Sequence, residues 1–190
     1  MRRKDREIKD PSVDSDTSKV GLFGHPTSAI MPILQKADVC RIAMCNDNVP
    51  YIVTMNFGIG KNGASLYFHS AYEGKKINIL QKNNLVCFQV DIEREFFLHS
   101  VSCGCSMAYQ SVVGMGRISF VDDLSEKLEA LQAIMTHYTN QSEHVFKEEL
   151  VSRTMIMRLD ISEISAKALL KQKPGPPRNS TESSPHSPVP

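Results

Sequence analysis

Apolar residues recur at every second position in six separate runs of the chain. This period of two is typical of strands that face a core on one side and solvent on the other. We expect these strands at residues 39–45, 50–57, 65–70, 85–91, 109–121 and 153–161. The segment Asn46-Asp47-Asn48 separates the first two strands and contains residue types that favour a tight turn, which predicts a β-hairpin.

Apolar residues with helical spacing are found in fewer places. Helices are expected at residues 27–38, 124–138 and 144–151. Asp122 and Asp123 precede the second of these, where negative charge is favourable for the helix dipole. Because the strands follow one another with few helices between them, we predict a mainly β fold. The expected architecture is a closed or partly closed antiparallel barrel with peripheral helices.

The stretch LYFHSAYEGKKINIL combines a strand pattern with the start of a helix. Leu66 and Phe68 alternate with His69, so the histidine is expected on the face opposite the apolar pair. The segment from Ser70 to Glu73 has the form of a capping box, in which the serine and glutamate side chains satisfy free backbone N–H groups. The sequence therefore predicts a helix that begins just after this segment.

Lys75 and Lys76 fall in the first turn of that predicted helix. Cations are disfavoured there, because the helix dipole is positive at its N-terminus. Two lysines at this position indicate a bound anion, and a phosphate group is the usual one. A solvated lysine pair on an exposed helix is the alternative that this stretch leaves open.

Length and composition fit one domain with a segment at each end. We expect a charged segment at residues 1–20, a folded domain at 21–170, and a disordered Pro/Ser-rich tail at 171–190. The net charge of +1 indicates neither nucleic acid nor a membrane surface as a partner. No apolar run in the sequence approaches the length of a membrane span.

The five cysteines are odd in number, and several lie in apolar strand-like runs. Free, mostly buried thiols are typical of a reducing compartment, so we expect a cytoplasmic protein. Cys103 and Cys105 stand one residue apart in a small loop. No second Cys or His pair has zinc-ligand spacing, so we expect no metal site.

Several blocks of the sequence, in order and with matching spacing, carry a resemblance to a known family. They read MRRKDREI, CRIAMCNDNVPYIVTMNFG, LYFHSAYEGKKINIL, VCFQVD, YQSVVGMGRISFV and IMTHYT. Together they resemble the nitroimidazole-resistance (NimA-like) branch of the pyridoxamine 5'-phosphate oxidase-like superfamily. The resemblance extends from residue 1 to about residue 167.

The resemblance implies a six-stranded split β-barrel, a homodimer, and FMN bound in a groove between the subunits. It places the flavin ring along the second predicted strand and a polar flavin contact on the fifth. The ribityl chain and the phosphate would lie at the end of the third strand, and the lysine pair would hold the phosphate. The implied cofactor-binding residues are Val53, Thr54, Met55, Asn56, His69, Ser70, Lys75, Lys76, Gln110 and Ser111. Asn56 stands where vitamin B6 oxidases carry a basic residue, and the C-terminal strand lacks their basic-plus-His signature. We therefore do not expect vitamin B6 oxidation.

Two classes of function follow from the resemblance. The first is an FMN-dependent reductase that takes electrons from NAD(P)H and passes them to a small acceptor such as a nitroimidazole, with His69 as the candidate catalytic residue. The second is a carrier or sensor that binds flavin or haem without turnover. In the second class, His69 would contact haem, or it would only shape the pocket wall.

Overall fold

The computed structural model describes residues 30–61, 63–98, 102–139 and 141–169. The predicted N-terminal segment, the predicted tail and the first residues of the predicted helix at 27–38 lie outside these ranges. The strands are β1 (Cys40–Asn46), β2 (Val49–Met55), β3 (Gly58–Ile59), β4 (Ser65–Ser70), β5 (Leu85–Phe97), β6 (Ser106–Val121) and β7 (Met155–Leu169). The helices are α1 (Met31–Lys36), α2 (Lys75–Lys82), α3 (Leu124–Thr139) and α4 (Glu148–Ser152).

All seven strands form one antiparallel sheet with the order β2-β1-β5-β6-β7-β4-β3. The strands pair mostly with their neighbours in sequence, and β4 closes against β7 from the far end of the chain. The mainly β split-barrel fold expected from the sequence is confirmed, with the sheet open between β2 and β3. The six predicted strands are present, and the short strand β3 is additional.

The hairpin between β1 and β2 follows the prediction. Asn46 pairs with Val49, so Asp47 and Asn48 form a two-residue turn. Their φ angles are 51° and 61°, in the left-handed region that Asp and Asn tolerate better than most residues. This turn sets the register of β2, the strand that the family resemblance places beside the flavin.

The core lies on the concave face of the sheet. Alternate residues of β1, β4 and β5 point into it, and Ile42, Leu66, Phe68 and Phe88 are all almost fully buried. Helices α1 and α2 contribute their own apolar faces to the same cluster. Cys40 belongs to this core, and burial raises the pKa of its thiol to about 12. Cys40 therefore stays protonated and unreactive at neutral pH, since only the thiolate is nucleophilic.

Three strands are longer than the alternation predicted. β5 continues to Phe97, where the prediction ended at residue 91, and a register shift lies between Ile92 and Glu95. Glu93 has a φ of 54° at this bulge. The bulge breaks the period of two, so the alternating pattern ends before the strand does. The last predicted helix, residues 144–151, is shorter in the structure, because α4 begins only at Glu148.

The convex face of β2, β1, β5 and β6 carries an apolar row that the described residues leave only partly covered. Ile52, Ala43, Cys87 and Met115 are register partners across these four strands. Ile52 is 61% exposed, and the neighbouring Val113 is 42% exposed. We call this surface, defined by these five residues, the open sheet face.

Candidate functional site

Helix α2 begins without a side-chain cap, which exposes the backbone N–H groups of its first turn. Gly74 is the N-cap residue, with a φ of 131°, and no side chain bonds to this helix end. The predicted capping box is therefore wrong. Ser70 is still part of β4, paired with Met155, and its hydroxyl donates to the carbonyl of Ala71 at 2.9 Å. The uncapped helix end is available to an anion.

Lys75 and Lys76 occupy the first turn of α2, as predicted. Neither has a carboxylate oxygen within 4.0 Å in the described part of the chain, and the first turn contains no acidic residue. The Lys75 ammonium lies 4.5 Å from the centroid of the Tyr51 ring, which is a cation–π contact. The lysines thus supply positive charge that the described residues do not neutralise.

The contact between Lys75 and Tyr51 brings α2 against the edge strand β2. A cavity of about 330 Å³ lies here, and among its lining residues are Asn46, Tyr51, Lys75, Asn78 and Lys82. In the strand order, β2 and β4 are far apart. The curvature of the sheet, together with the packing of α2, therefore brings Lys75 near the first half of the predicted ring-binding strand.

His69 and Ser70 lie at the end of β4, on opposite faces of the sheet. Leu66 and Phe68 are buried, whereas His69 is exposed on the other face, as the alternation predicted. The imidazole of His69 makes no hydrogen bond to another residue in the described part of the chain. Ser70 is the last strand residue before the loop that leads to Lys75.

The predicted residues of β2 also divide between two faces. Val53 and Met55 are partly buried against the core, so they would meet a ligand mainly through their backbone. Thr54 is exposed on the convex face, next to Arg41. β2 is the last strand in the sheet order, so its outer backbone edge has no strand partner among the described residues. A backbone edge of this kind offers N–H and C=O groups to a ligand.

Asn56 follows β2 and is exposed. Its side chain lies beside the hydroxyl of Tyr138, whose pKa is raised mainly by burial. The same hydroxyl donates to the carbonyl of Asp38 at 2.8 Å and accepts a hydrogen bond from the backbone N–H of Phe57 at 3.1 Å. These contacts fix the end of β2 against α3.

Gln110 and Ser111 are neighbours in sequence, but their side chains point to opposite faces of β6. The Gln110 amide donates to the carboxylate of Glu93, at the bulge in β5. Hydrogen bonds from Lys36 and then from Gln110 lower the pKa of that carboxyl. Ser111 pairs with Asp91 on the convex face, the same face as Thr54. Ser111 thus shares a surface with the predicted ring-binding strand, and Gln110 does not.

Arg41 was not singled out from the sequence, yet it lies next to two predicted flavin contacts. It is the register partner of Thr54 on one side and of Gln89 on the other. Its guanidinium donates to Asp91 at 2.6 Å. A charged residue in an otherwise apolar alternating strand is the sequence signal that would have identified it.

A larger cavity lies elsewhere, between α3 and β3–β4. It measures about 1020 Å³ and contains none of the ten predicted cofactor residues. Its lysine, Lys61, is paired with Glu129 at 2.8 Å. Because that cation is neutralised, this cavity fits a phosphate less well than the start of α2 does. The cavity beside the start of α2 is smaller, but its unpaired lysine makes it the better candidate for a phosphate site.

No group of three His, Cys, Asp or Glu side chains among the described residues is placed to hold a metal ion. None of the described helices combines the length and the apolar character needed to cross a membrane.

Comparison with solved structures gives relatives of the same fold. A candidate 5-nitroimidazole antibiotic resistance protein from Bacteroides thetaiotaomicron VPI-5482 is 30% identical, with a TM-score of 0.67 over 77% of this chain and 86% of that one. The flavocytochrome Anf3 from Azotobacter vinelandii is 17% identical, with a TM-score of 0.63 over 89% of each chain. An FAD- and haem-binding protein from Mycobacterium smegmatis is 15% identical, with a TM-score of 0.65 over 90% of this chain and 94% of that one.

The second and third of these relatives support the fold alone, because their identity to this chain is low. No curated protein sequence gives a significant match. The family model described as pyridoxamine 5'-phosphate oxidase matches residues 26–168. This range contains all seven described strands, apart from the last residue of β7. The resemblance seen in the sequence is confirmed, and the chain belongs to the pyridoxamine 5'-phosphate oxidase-like family.

Proposed function

We propose that this protein binds FMN and acts as an NAD(P)H-linked reductase of small acceptors such as nitroimidazoles. The observation that carries the proposal is the start of α2. Lys75 and Lys76 lie there beside uncapped backbone N–H groups, with no carboxylate within ion-pair distance among the described residues. Two ammonium groups and a helix N-terminus form charge-assisted hydrogen bonds with a phosphate dianion.

The surrounding residues fit the rest of a flavin mononucleotide. The hydroxyl of Ser70 precedes the phosphate loop and would meet the phosphate or the ribityl chain. The free backbone edge of β2, at Val53 to Asn56, would meet the polar edge of the ring. Neighbours of known structure are named as flavin-binding proteins, which supports a flavin but leaves FMN and FAD to be distinguished.

The bound flavin would supply the redox chemistry, since no amino-acid side chain carries a hydride. The protein would hold the phosphate with Lys75 and Lys76 and orient the ring along β2. His69 is exposed and has no hydrogen-bond partner in the described part of the chain, so its imidazole is free to hold a proton for a reduced acceptor. NAD(P)H would deliver its electrons while docked transiently at the ring.

A second copy of the chain belongs to this proposal. Thr54 and Ser111 share the convex face, but β1 and β5 lie between their strands. Three strand spacings amount to about 14 Å, which is too far for both side chains to contact the same end of one ring. A dimer formed through the open sheet face would bring Ser111 of one copy towards Thr54 of the other. It would also cover the exposed apolar row.

A carrier or sensor that binds flavin or haem is the second candidate function. The exposed His69 favours it as well, because an unpaired imidazole is a possible haem ligand. Two neighbours of similar fold are named as a flavocytochrome and as a protein that binds FAD and haem. An absorbance spectrum of the purified protein separates flavin bands from a Soret band. The free thiols fit a reducing, cytoplasmic setting for either function.

The test of the phosphate site replaces Lys75 and Lys76 together by alanine. Each lost charge-assisted bond is worth about 1.5–3 kcal/mol, so FMN affinity should fall by orders of magnitude. Riboflavin, which has no phosphate, should lose little affinity. Replacing Lys61 and Lys147 by alanine removes the same net charge outside the start of α2 and should leave both affinities unchanged.

Titration of each apo-protein with FMN and with riboflavin, followed by flavin fluorescence, gives the two affinities. Equal losses for both ligands in the Lys75/Lys76 variant would refute the phosphate site. Anaerobic oxidation of NAD(P)H by the FMN-loaded protein, with and without a nitroimidazole, then separates the reductase from the carrier.

A further inference from the structure

One charged side chain in the described part of the chain is buried, and the proposed function does not use it. Lys127 lies on α3 and is only 5% exposed. A buried ammonium group is costly unless its protons are hydrogen-bonded. Its surroundings therefore indicate what the residue does.

The Lys127 ammonium has no carboxylate within ion-pair distance among the described residues. It donates instead to the hydroxyl of Tyr72 at 3.1 Å and to the carbonyl of Ser152 at 3.5 Å. It lies 5.7 Å from the centroid of the Tyr72 ring. The Tyr72 hydroxyl in turn donates to the carbonyl of Ser152 at 3.0 Å. The carbonyl of Thr154 is a second acceptor, 3.4 Å from the same hydroxyl. Three segments distant in sequence thus meet at one ammonium group.

Tyr72 belongs to the loop of residues 71–74, which connects β4 to α2. This loop stands between Ser70 and Lys75, so its conformation sets where the serine hydroxyl and the helix start lie relative to each other. All four of its residues are exposed. In the described part of the chain, the hydrogen bonds that tie it to distant segments pass through the Tyr72 hydroxyl. At its end, Gly74 has open space around it and a φ of 131°.

We propose that Lys127 and Tyr72 form a latch that holds the 71–74 loop in the conformation required to bind the flavin phosphate. Both are positioning residues and neither touches the ligand. Lys127 fixes the Tyr72 hydroxyl from α3, and Tyr72 fixes the loop to the segment before β7. The latch therefore makes phosphate affinity depend on the packing of α3. This inference rests on the proposed function, because it assigns the loop to a phosphate site.

The first test is Tyr72→Phe, which removes the hydroxyl and keeps the ring. Without the hydroxyl, the loop loses its fixed conformation. We expect the dissociation constant for FMN to rise about threefold to tenfold and that for riboflavin to stay unchanged. Tyr67→Phe is the matched control. The Tyr67 hydroxyl donates to Glu126 on the same helix at 3.4 Å, but it does not contact the loop. That variant should bind both ligands as the unaltered protein does.

The second test is Lys127→Met, which keeps most of the side-chain volume and removes the ammonium group. Losing a hydrogen bond from a charged group costs more free energy than losing one from a neutral hydroxyl. We therefore expect FMN affinity to fall about 10- to 100-fold, again with riboflavin affinity unchanged. Lys61→Met is its control, because Lys61 is bonded to Glu129 of the same helix and is remote from the loop. The melting temperature of each variant shows whether it has folded.

Hydrogen exchange of the apo-protein tests the latch without any ligand. In Tyr72→Phe, the backbone amides of residues 72–76 should exchange faster, and those of the remaining strands should not. Unchanged exchange in this segment, or equal losses of FMN and riboflavin affinity, would overturn the latch. If the Lys75/Lys76 alanine variant keeps its FMN affinity, the proposed function fails, and the exchange result still decides whether the latch exists.

Discussion

At the scale of single residues, the surroundings of a side chain decide its role more than its type does. The Nε2–H of His137 donates to the Ala37 carbonyl at 2.8 Å, and its ring packs on that of Phe57 with 4.4 Å between the centroids. His69 has no such partner in the described part of the chain and is exposed at a strand end. His137 is thus committed to holding α3 against α1, whereas His69 is available for a ligand.

The face that His69 occupies could be predicted from sequence, because the alternation of Leu66 and Phe68 fixes the opposite face. The burial of Lys127 could not. It follows polar residues on a helix, and its burial depends on Tyr72 and Ser152, which are distant in the chain. Local periodicity carries no signal for a contact of that range.

We predict that His69→Phe keeps flavin but slows turnover. The phosphate contacts come from other residues, so FMN affinity should be within a few-fold of the original value. A positioned acid is typically worth about 10²–10⁴-fold in rate, and steady-state reduction of a nitroimidazole should fall by that range. The same variant would lose a Soret band if the residue ligates haem. An unchanged rate with unchanged spectra would leave His69 with a structural role only.

At the scale of helices and strands, apolar periodicity gave the core of each element and missed the irregular ends. The start of α2 at Lys75 agrees with the prediction, but its cap does not. Ser70 is held in β4 by its pairing with Met155, so it cannot reach the helix end. At α3 the prediction holds in detail, since Asp123 Oδ1 accepts a hydrogen bond from the backbone N–H of Glu126 at 2.8 Å.

The short strand β3 could not be predicted, because Gly58 and Ile59 are too few to show a period. Its role is visible only in the packing. A Cβ atom on Gly58 would lie 2.5 Å from the backbone carbonyl carbon of Ala133 in α3, closer than van der Waals contact allows. Gly58 is therefore what lets α3 approach the sheet.

We predict that Gly58→Ala destabilises the fold, because the clash is with helix backbone and α3 must move. Overpacking of this kind costs about 1–3 kcal/mol, measured as the free energy of unfolding in urea. Gly60→Ala is the matched control. Its Cβ would meet mainly the Ser65 hydroxyl, which can rotate away, so the loss should be smaller. Equal stability of Gly58→Ala and the original protein would show that α3 does not depend on this close approach.

At the scale of the whole molecule, the sheet order and the barrel curvature agree with the family resemblance, and local pattern alone would not have supplied them. Pairing between β4 and β7 joins residues about 90 positions apart, such as Leu66 and Leu159. The predicted tail at 171–190 and the domain boundaries remain predictions, because they lie at or beyond the limits of the described residues. The open sheet face is the feature of this scale that has a direct consequence for function.

We predict that Ile52→Glu converts a dimer into a monomer and weakens flavin binding. Ile52 is 61% exposed at the edge of the apolar row, and a buried glutamate without a partner would oppose association. Removing an exposed apolar contact and adding a charge should weaken the dimer by about 100-fold or more. Light scattering after size-exclusion chromatography gives the mass, and fluorescence titration gives the FMN affinity. The mass and the FMN affinity should fall together, because Thr54 of one copy and Ser111 of the other would no longer meet across the interface.

Val145→Glu provides the control for this experiment, because Val145 is fully exposed and lies on a loop away from the open sheet face. It adds the same charge to the surface and should leave both mass and affinity unchanged. An original protein that is monomeric at micromolar concentration would refute the interface. So would an Ile52→Glu variant that stays dimeric. A monomer that keeps its full FMN affinity would instead show that one copy of the chain holds the whole flavin, and Ser111 would then leave the site.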